Sequence, residues 1–229
     1  MRRGMFFRDR SQPIHTTNAL GAVAEGLDVA DLDRRVDELF LMVADGLAAA
    51  IATLLNDDRV TARGLMSADR HLDSLSHGIE AFAEDALLNR QYRNRDQLRV
   101  LLLVVQIVPE IERSGDLVQH IAARACQGIG GVLSTDARLL IEQMGQIGVT
   151  MWRSAARAFA ERDPLAAVGL RIIDDELDDL HVRLTQEMAA ATMSVAAAIQ
   201  LGLVARFLER VGDHAVNITR RLERLRMAA

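Results

Sequence analysis

The sequence has little cysteine and few aromatic residues, and each shortage excludes a class of protein. Cys126 is the single cysteine, so an intrachain disulfide cannot form and a reducing compartment is expected. Aromatic residues make up 3% of the chain and the net charge is −5, whereas nucleic-acid binding needs basic surface and aromatic stacking platforms. We therefore expect a cytoplasmic protein that does not bind nucleic acid.

Long hydrophobic runs are also scarce. The longest, residues 100–108 and 189–205, are too short or too often interrupted by polar residues to span about 30 Å of hydrocarbon. Residues 1–27 lack the apolar stretch of a secretion signal and show no sustained period, so we interpret them as a flexible N-terminal arm. Four arginines and two phenylalanines in its first ten residues leave open a peripheral contact with the anionic surface of the inner membrane.

Apolar residues make up half of the chain, and their spacing alternates between three and four positions. This period is typical of helices with one face in a core. Asp163 and Pro164 are expected to be the N-cap and the first residue of the fifth helix, and Pro109 is expected to bend or locally unwind the third. The pattern predicts an all-α protein with six helices, near residues 32–54, 60–89, 96–127, 135–161, 164–190 and 192–226.

The motif Glu-Arg-x-Gly-Asp occurs twice, at residues 112–116 and, 97 positions later (209 − 112), at residues 209–213. Earlier in the chain, Asp58 and Asp163 align with an offset of 105 (163 − 58), so the plan of the chain is duplicated. Three helices per unit and short connections predict two tandem antiparallel three-helix bundles, each with its own core.

We place the first unit at residues 28–128 and the second at residues 134–229. Between them lies a glycine-rich segment that ends helical structure and lacks the Lys-Ser/Thr ending of a phosphate-binding loop.

Acidic residues recur four positions apart on the second and third helix of each unit. Such pairs project from one face of a helix, about 6 Å apart along its axis, and their like charges repel. In the second motif they lie opposite the apolar stripe, so we expect them to face outward rather than into the core. The pairs are Asp69 and Asp73, Glu112 and Asp116, Asp174 and Asp178, and Glu209 and Asp213.

Two interpretations of these pairs are open: a cation site built from carboxylates, or a solvated face whose charge Arg113 and Arg210 neutralise. All-oxygen ligands suit magnesium, manganese, calcium or iron. An outward geometry without a Glu-x-x-His motif argues against a ferritin-like di-iron centre. His77, His120 and His181 follow acids by three or four residues but do not repeat between the units, so we interpret them as surface histidines.

Two three-helix units that each carry Glu-Arg-x-Gly-Asp resemble the PhoU family, and residues 207–218 are the closest part of the match. The resemblance implies metal sites on the outer surface, often of iron clusters or zinc, with manganese and magnesium also open. By resemblance the first site is Asp69, Asp73, Glu112 and Asp116, and the second is Asp174, Asp178, Glu209 and Asp213.

The same resemblance implies a negative regulator of phosphate uptake and of the phosphate-starvation two-component response. Its partners would be the ATPase subunit of the phosphate transporter and a phosphate-sensing histidine kinase, and a homodimer is expected. Ser114, Gln119 and His120 depart from the family pattern, and the N-terminal arm is longer than usual.

Two other functions are open. A metal-free helical scaffold would use the same fold without a bound cation. A surface-metal enzyme is disfavoured because the sequence offers no nucleophile and base pair and no nucleotide-binding loop, so we expect no enzyme.

Overall fold

In a computed structural model, the described part of the protein contains six α-helices. The structure describes residues 28–227 apart from the side chains of residues 67–69 and 225–227, so the N-terminal arm and residues 228–229 lie outside the described part. No strand occurs within residues 28–227, and the all-α prediction is confirmed. The helices are α1 (Val29–Leu55), α2 (Arg59–Leu88), α3 (Arg95–Cys126), α4 (Thr135–Glu161), α5 (Ala166–Ala190) and α6 (Val195–Met227), with a 3-10 turn (Ile129–Val132) before α4.

The start of α5 differs from the prediction that placed Asp163 and Pro164 at its first positions. Arg162 ends α4 in the left-handed conformation, with φ 53°. The Asp163 carboxylate then accepts a hydrogen bond from the backbone N–H of Leu165 at 2.9 Å, which stabilises a separate turn over the proline. The helix therefore begins only at Ala166, and Asp163 caps the turn instead of the helix.

Pro109 lies inside α3, yet α3 remains helical from end to end. The local unwinding expected at this proline does not occur. A proline inside a helix removes one backbone hydrogen bond and costs about 3 kcal/mol. Packing of α3 against α1, α2 and α6 offsets this cost.

One continuous hydrophobic core runs through both halves of the chain. The three helices of each half pack on one another, and across the halves α1 packs on α4 and α3 on α6. Phe40 of α1 contacts Trp152 and Phe159 of α4, with ring centroids 5.8 Å apart in both pairs. The indole Nε1 of Trp152 donates a hydrogen bond to the carbonyl oxygen of Val211 on α6 at 2.9 Å. The two units therefore share a core, where the repeat predicted one for each.

Helix α1 is long and apolar enough to cross a membrane by length and composition, although polar residues interrupt its apolar runs. In this fold α1 contacts α2, α3 and α4. Its residues Leu39, Val43 and Leu47 are fully or almost fully buried. Its apolar character is accounted for by its place at the centre of the shared core.

Candidate acidic surfaces

Helices α5 and α6 pack closely against each other at Gly212. A Cβ at this position would lie 2.5 Å from Leu177 Cδ2, 3.2 Å from Asp174 Oδ1 and 3.4 Å from Met151 Cε. The glycine of the motif is thus needed for close packing between two helices, and this packing brings an acid of α5 beside the motif of α6. Gly115 has the same role between α3 and α2, where a Cβ would lie 3.0 Å from Leu72 Cδ1.

The second acidic surface consists of Asp174, Asp178, Glu209 and Asp213. Burial, followed by the charges of Asp213 and Asp178, raises the pKa of Asp174 to about 6. Burial, followed by the charges of Glu209 and Asp213, also raises the pKa of Asp178. The structure therefore brings together all four residues that the sequence predicted for this surface. Their negative charges are only partly compensated.

The angular position on α6 predicted acids that face fully outward, but of the four only Asp178 is exposed. The side chain of Glu209 is only 16% exposed. Asp174 and Asp213 are half-buried as well. The reason is the narrow gap at Gly212, because a carboxylate at the edge of a close helix pair is partly covered by the neighbouring helix.

The cations beside the second acidic surface differ from the predicted ones. Glu209 is paired with Arg206, one turn earlier on α6, and its carboxylate lies 3.9 Å from Nδ1 of His181. Arg220 contributes a weaker effect that lowers the pKa of Asp174. Among the described residues Arg210 forms no ion pair, so the structure does not support the interpretation in which Arg210 neutralises this surface.

The first acidic surface consists of Asp73, Glu112 and Asp116; Asp69 was predicted with them, but its side chain lies outside the described residues. Two further residues join the described acids. Burial, followed by the charge of Glu112, raises the pKa of Glu80. His77 donates a hydrogen bond from Nδ1 to the Asp73 carbonyl oxygen, 2.7 Å away, and this bond, followed by the charge of Glu112, raises the pKa of His77.

Of the three histidines interpreted as surface residues, His77 and His181 lie beside the acidic surfaces. His120 instead packs on the ring of Phe207 in α6, with centroids 5.2 Å apart. Sequence reasoning missed Glu80. The signal was present, because Glu80 follows Asp73 by seven residues and His77 by three, which places all three on one side of α2.

A buried carboxylate between α3 and α6 was also missed. Glu110 has a side chain that is 7% exposed, and its oxygens lie 2.6 Å from His214 Nδ1 and 2.5 Å from Arg221 Nη2. Arg113 is 3.7 Å from the same carboxylate, so this arginine faces Glu110 rather than the acids it was predicted to neutralise. Pairing compensates the cost of burying the charge and links the two halves of the chain.

The donor types of both surfaces fit a hard cation, because carboxylate oxygens are the ligands that magnesium, manganese, calcium and ferric ions prefer. The described positions of these side chains, however, do not form a metal site. Within the described residues, no three His, Cys, Asp or Glu side chains are grouped closely enough to hold a metal ion. Cation binding would require new side-chain rotamers at both surfaces and, at the second, release of Glu209 from Arg206.

A family model and several named relatives match this chain. The PhoU domain model matches residues 36–125 and 141–222, one match in each half. The chain is 30% identical over 197 residues to "Phosphate-specific transport system accessory protein PhoU homolog 2" of Mycobacterium tuberculosis, covering 85% of this chain and 92% of that protein. It is 27% identical over 191 residues to the PhoU homolog of Rhizobium meliloti, covering 82% and 80%.

Solved structures with the same architecture support this relation. PhoU from Pseudomonas aeruginosa superposes with a TM-score of 0.80 at 22% identity, covering 88% of this chain and 98% of that one. The phosphate transport system regulatory protein PhoU from Streptococcus pneumoniae gives a TM-score of 0.79 at 22% identity, covering 88% and 96%. At this level of identity the superpositions establish a shared fold.

The close approach at Gly212 predicts opposite effects for two glycine substitutions on α6. Gly212→Ala should lower the free energy of unfolding by about 1 kcal/mol, because overpacking against Leu177 outweighs the gain in helix propensity. Gly202→Ala is the matched control, since no atom lies within 4 Å of its added Cβ, and it should raise stability by about 0.5–1 kcal/mol. Urea denaturation followed by circular dichroism measures both. Stabilisation by both substitutions would contradict the packing role of Gly212.

Because the pKa of Asp174 is raised, replacing Asp174 by the neutral asparagine should increase the stability of the fold, and the increase should depend on pH. Between pH 3.8 and about 6 the folded protein binds a proton at Asp174 more tightly than the unfolded chain does, so this carboxylate costs stability as the pH rises through that range. In chelator-treated protein, Asp174→Asn should be more stable than the wild type above pH 7, by no more than about 1 kcal/mol after solvent screening. The difference should vanish below about pH 4.

Melting temperatures across this pH range measure the effect. Asp179→Asn, on the exposed face of the same helix, is the control and should change stability little at any pH. A constant difference between Asp174→Asn and wild type from low to high pH would argue against a strained carboxylate.

Proposed function

The chain belongs to the PhoU family, and on that premise we propose that it is an accessory protein that negatively regulates phosphate uptake and the phosphate-starvation two-component response. The observation behind the proposal is that both halves carry the Glu-Arg-x-Gly-Asp motif at a glycine-mediated contact with a second acidic helix. The mycobacterial and rhizobial relatives named as phosphate-specific transport accessory proteins support the same role.

The proposed mode of action is binding to other proteins. We assign as partners the ATPase subunit of a phosphate transporter and a phosphate-sensing histidine kinase, both reached from the cytoplasm at the inner membrane. Long helices that share one core form a rigid body with extended surfaces, which suits docking more than catalysis. Self-association as a homodimer is part of the proposal, and exposed small residues such as Ala48 and Ala189 offer close-contact surfaces for it.

Cation binding at the acidic surfaces is proposed as the means by which the protein is regulated. The raised pKa values of Asp174 and Asp178 support it, because a divalent or ferric ion would relieve the repulsion that raises them. Iron, zinc, manganese and magnesium remain the candidate ions, since His181 beside Glu209 and His77 beside Asp73 can add nitrogen ligands to the oxygens.

A metal-free scaffold is the second candidate, favoured by the Arg206 and Glu209 ion pair and by the lack of a grouped ligand set within residues 28–227. A metal titration separates the two. After chelator treatment, the wild type should gain about 2.7 kcal/mol of stability when an ion is present at about 100 times its dissociation constant. Asp213→Asn should gain less, while Asp45→Asn, an exposed carboxylate outside both surfaces, should gain as much as the wild type.

Thermal melting with iron, zinc, manganese and magnesium gives these gains directly. Equal shifts for the wild type and Asp213→Asn with every ion would assign the second acidic surface to the metal-free scaffold.

The regulatory role itself is tested by gene deletion in the source organism. In phosphate-replete medium the deletion strain should show raised phosphate uptake and an active starvation-response reporter, and the wild-type gene should restore both to low levels. Complementation with Asp213→Asn should be incomplete and with Asp45→Asn complete. Unchanged uptake and reporter activity after deletion would overturn the proposed function, and co-purification of the transporter ATPase with the tagged chain would test the partner.

A further inference from the structure

The outward face of α5 begins with an apolar stripe. Leu165, Val168 and Ile172 are 72%, 50% and 68% exposed. Their spacing of three and four residues places them on one side of the helix, opposite the buried Leu170 and Leu177. The solvent side of a surface helix is normally polar, so a continuous apolar stripe at this place indicates a surface that is covered by something.

The same face becomes acidic one turn further along. Asp175, Glu176 and Asp179 are exposed there. Glu176 and Asp179 border a groove of about 640 Å³ between α4 and α5, which Arg183 also lines. Two carboxylates are acceptors suited to a guanidinium group, which has five donors and no acceptor.

We propose that residues 2–10 of the N-terminal arm dock in the same molecule on this face of α5. Phe6 and Phe7 cover the apolar stripe, and the arginines that follow them enter the groove between α4 and α5. Residues 2–10 contain four arginines and one aspartate, a net charge of +3 (4 − 1), which complements the acids of the groove.

The distance between the apolar and charged groups of the arm matches the distance between the apolar stripe and the acids of α5. From Phe7 to Arg10 an extended chain spans about 10 Å. From Ile172 to Asp179, seven residues along a helix, the distance is also about 10 Å. An apolar pair followed at once by arginines therefore has the same layout as an apolar stripe followed by acids.

The N-terminal arm is connected to α1, and the first turns of α1 lie beside the end of α4, close to the apolar stripe. Asp33, about one turn into α1, lies 2.5 Å from Arg162, which ends α4 three residues before Leu165. The 17 residues from 11 to 27 have a root-mean-square span of about 23 Å as a flexible chain, enough to reach back to the groove. Such a tether gives an effective concentration of about 1 mM, so even a weak contact is occupied.

The corresponding face of α2 explains why the arm would select α5. With the offset of 105 between the units, Val168 corresponds to Arg63, Asp175 to Arg70 and Glu176 to His71. That face is basic and would repel an arginine-rich segment, so of the two helix faces compared among the described residues, that of α5 is the complementary one.

The docking is tested by labelling a cysteine placed under the arm. In the full chain with Val168→Cys, maleimide should react about threefold or more slowly than in the same chain with Phe6→Ser and Phe7→Ser. Arg63→Cys, the equivalent position on α2, should react at the same rate with either arm. Peptide mass spectrometry separates the signal from native Cys126, which serves as an internal reference. If Val168→Cys does not fold, Leu165→Cys gives the same readout.

The same labelling assay tests whether the acids of the groove are needed for protection and which molecule covers the face. Glu176→Arg with Asp179→Arg should remove most of the protection. Equal labelling of Val168→Cys with native and substituted arms would overturn the proposal. Protection that grows across an about fiftyfold range of protein concentration would assign the face to a second copy. Protection seen only with vesicles of phosphatidylglycerol would assign the arm to a membrane. Either result would also overturn the proposal.

Discussion

The close approach of α5 and α6 at Gly212 is the constraint on which the second acidic surface depends. With hydrogen in place of a side chain, Leu177 can lie against the backbone of α6, and Asp174 lies next to Asp213. A wider gap would let water separate these charges and would weaken both the repulsion and the desolvation that raise the pKa of Asp174. The glycine in the motif therefore acts through helix spacing, and the acids around it acquire their properties from that spacing.

The packing of α3 on α6 shows how the duplicated units have diverged. With the offset of 97 between the third helices, Glu110 corresponds to Phe207 and Arg124 to Arg221. On one side of the interface Arg221 pairs with the buried Glu110, and on the other Arg124 lies over the ring of Phe207 at 5.8 Å. One arginine position thus serves an ion pair in one place and a cation–π contact in the other. Both contacts cross between the halves, so a shift of α6 relative to α3 would disturb both.

Much of the fold could be predicted from the sequence, because helix period and capping are local signals. The bounds of α4 were predicted as the structure has them, and the pairing of acids on α5 and α6 followed from the repeat. Local signals fail where distant segments meet. Glu110 and His214 are 104 positions apart, and no periodicity indicates that they pair. The shared core was missed for the same reason, since a stripe of apolar residues does not say which helix will cover it. The start of α5 was predicted wrongly because the Asp163 side chain can cap either the first turn of a helix or a separate turn over Pro164, and in this fold it caps the separate turn.

The two acidic surfaces have similar backbones but differ in the partners of their charged side chains. In the second, burial and mutual repulsion raise the pKa values of Asp174 and Asp178, and Arg220 and His181 offset this only in part, while Arg206 pairs with Glu209. Two unit charges about 6 Å apart repel by roughly 0.7 kcal/mol in water and by more when partly buried, so the fold retains this repulsion at a cost. In the first, His77 and Glu80 extend the acids along α2. Each surface has an imidazole beside its carboxylates, His77 in the first and His181 in the second, so the two do not differ in the types of donor they offer. They differ in the partner of the imidazole: His77 bonds to the backbone of its own helix α2, whereas His181 on α5 lies beside a carboxylate of α6.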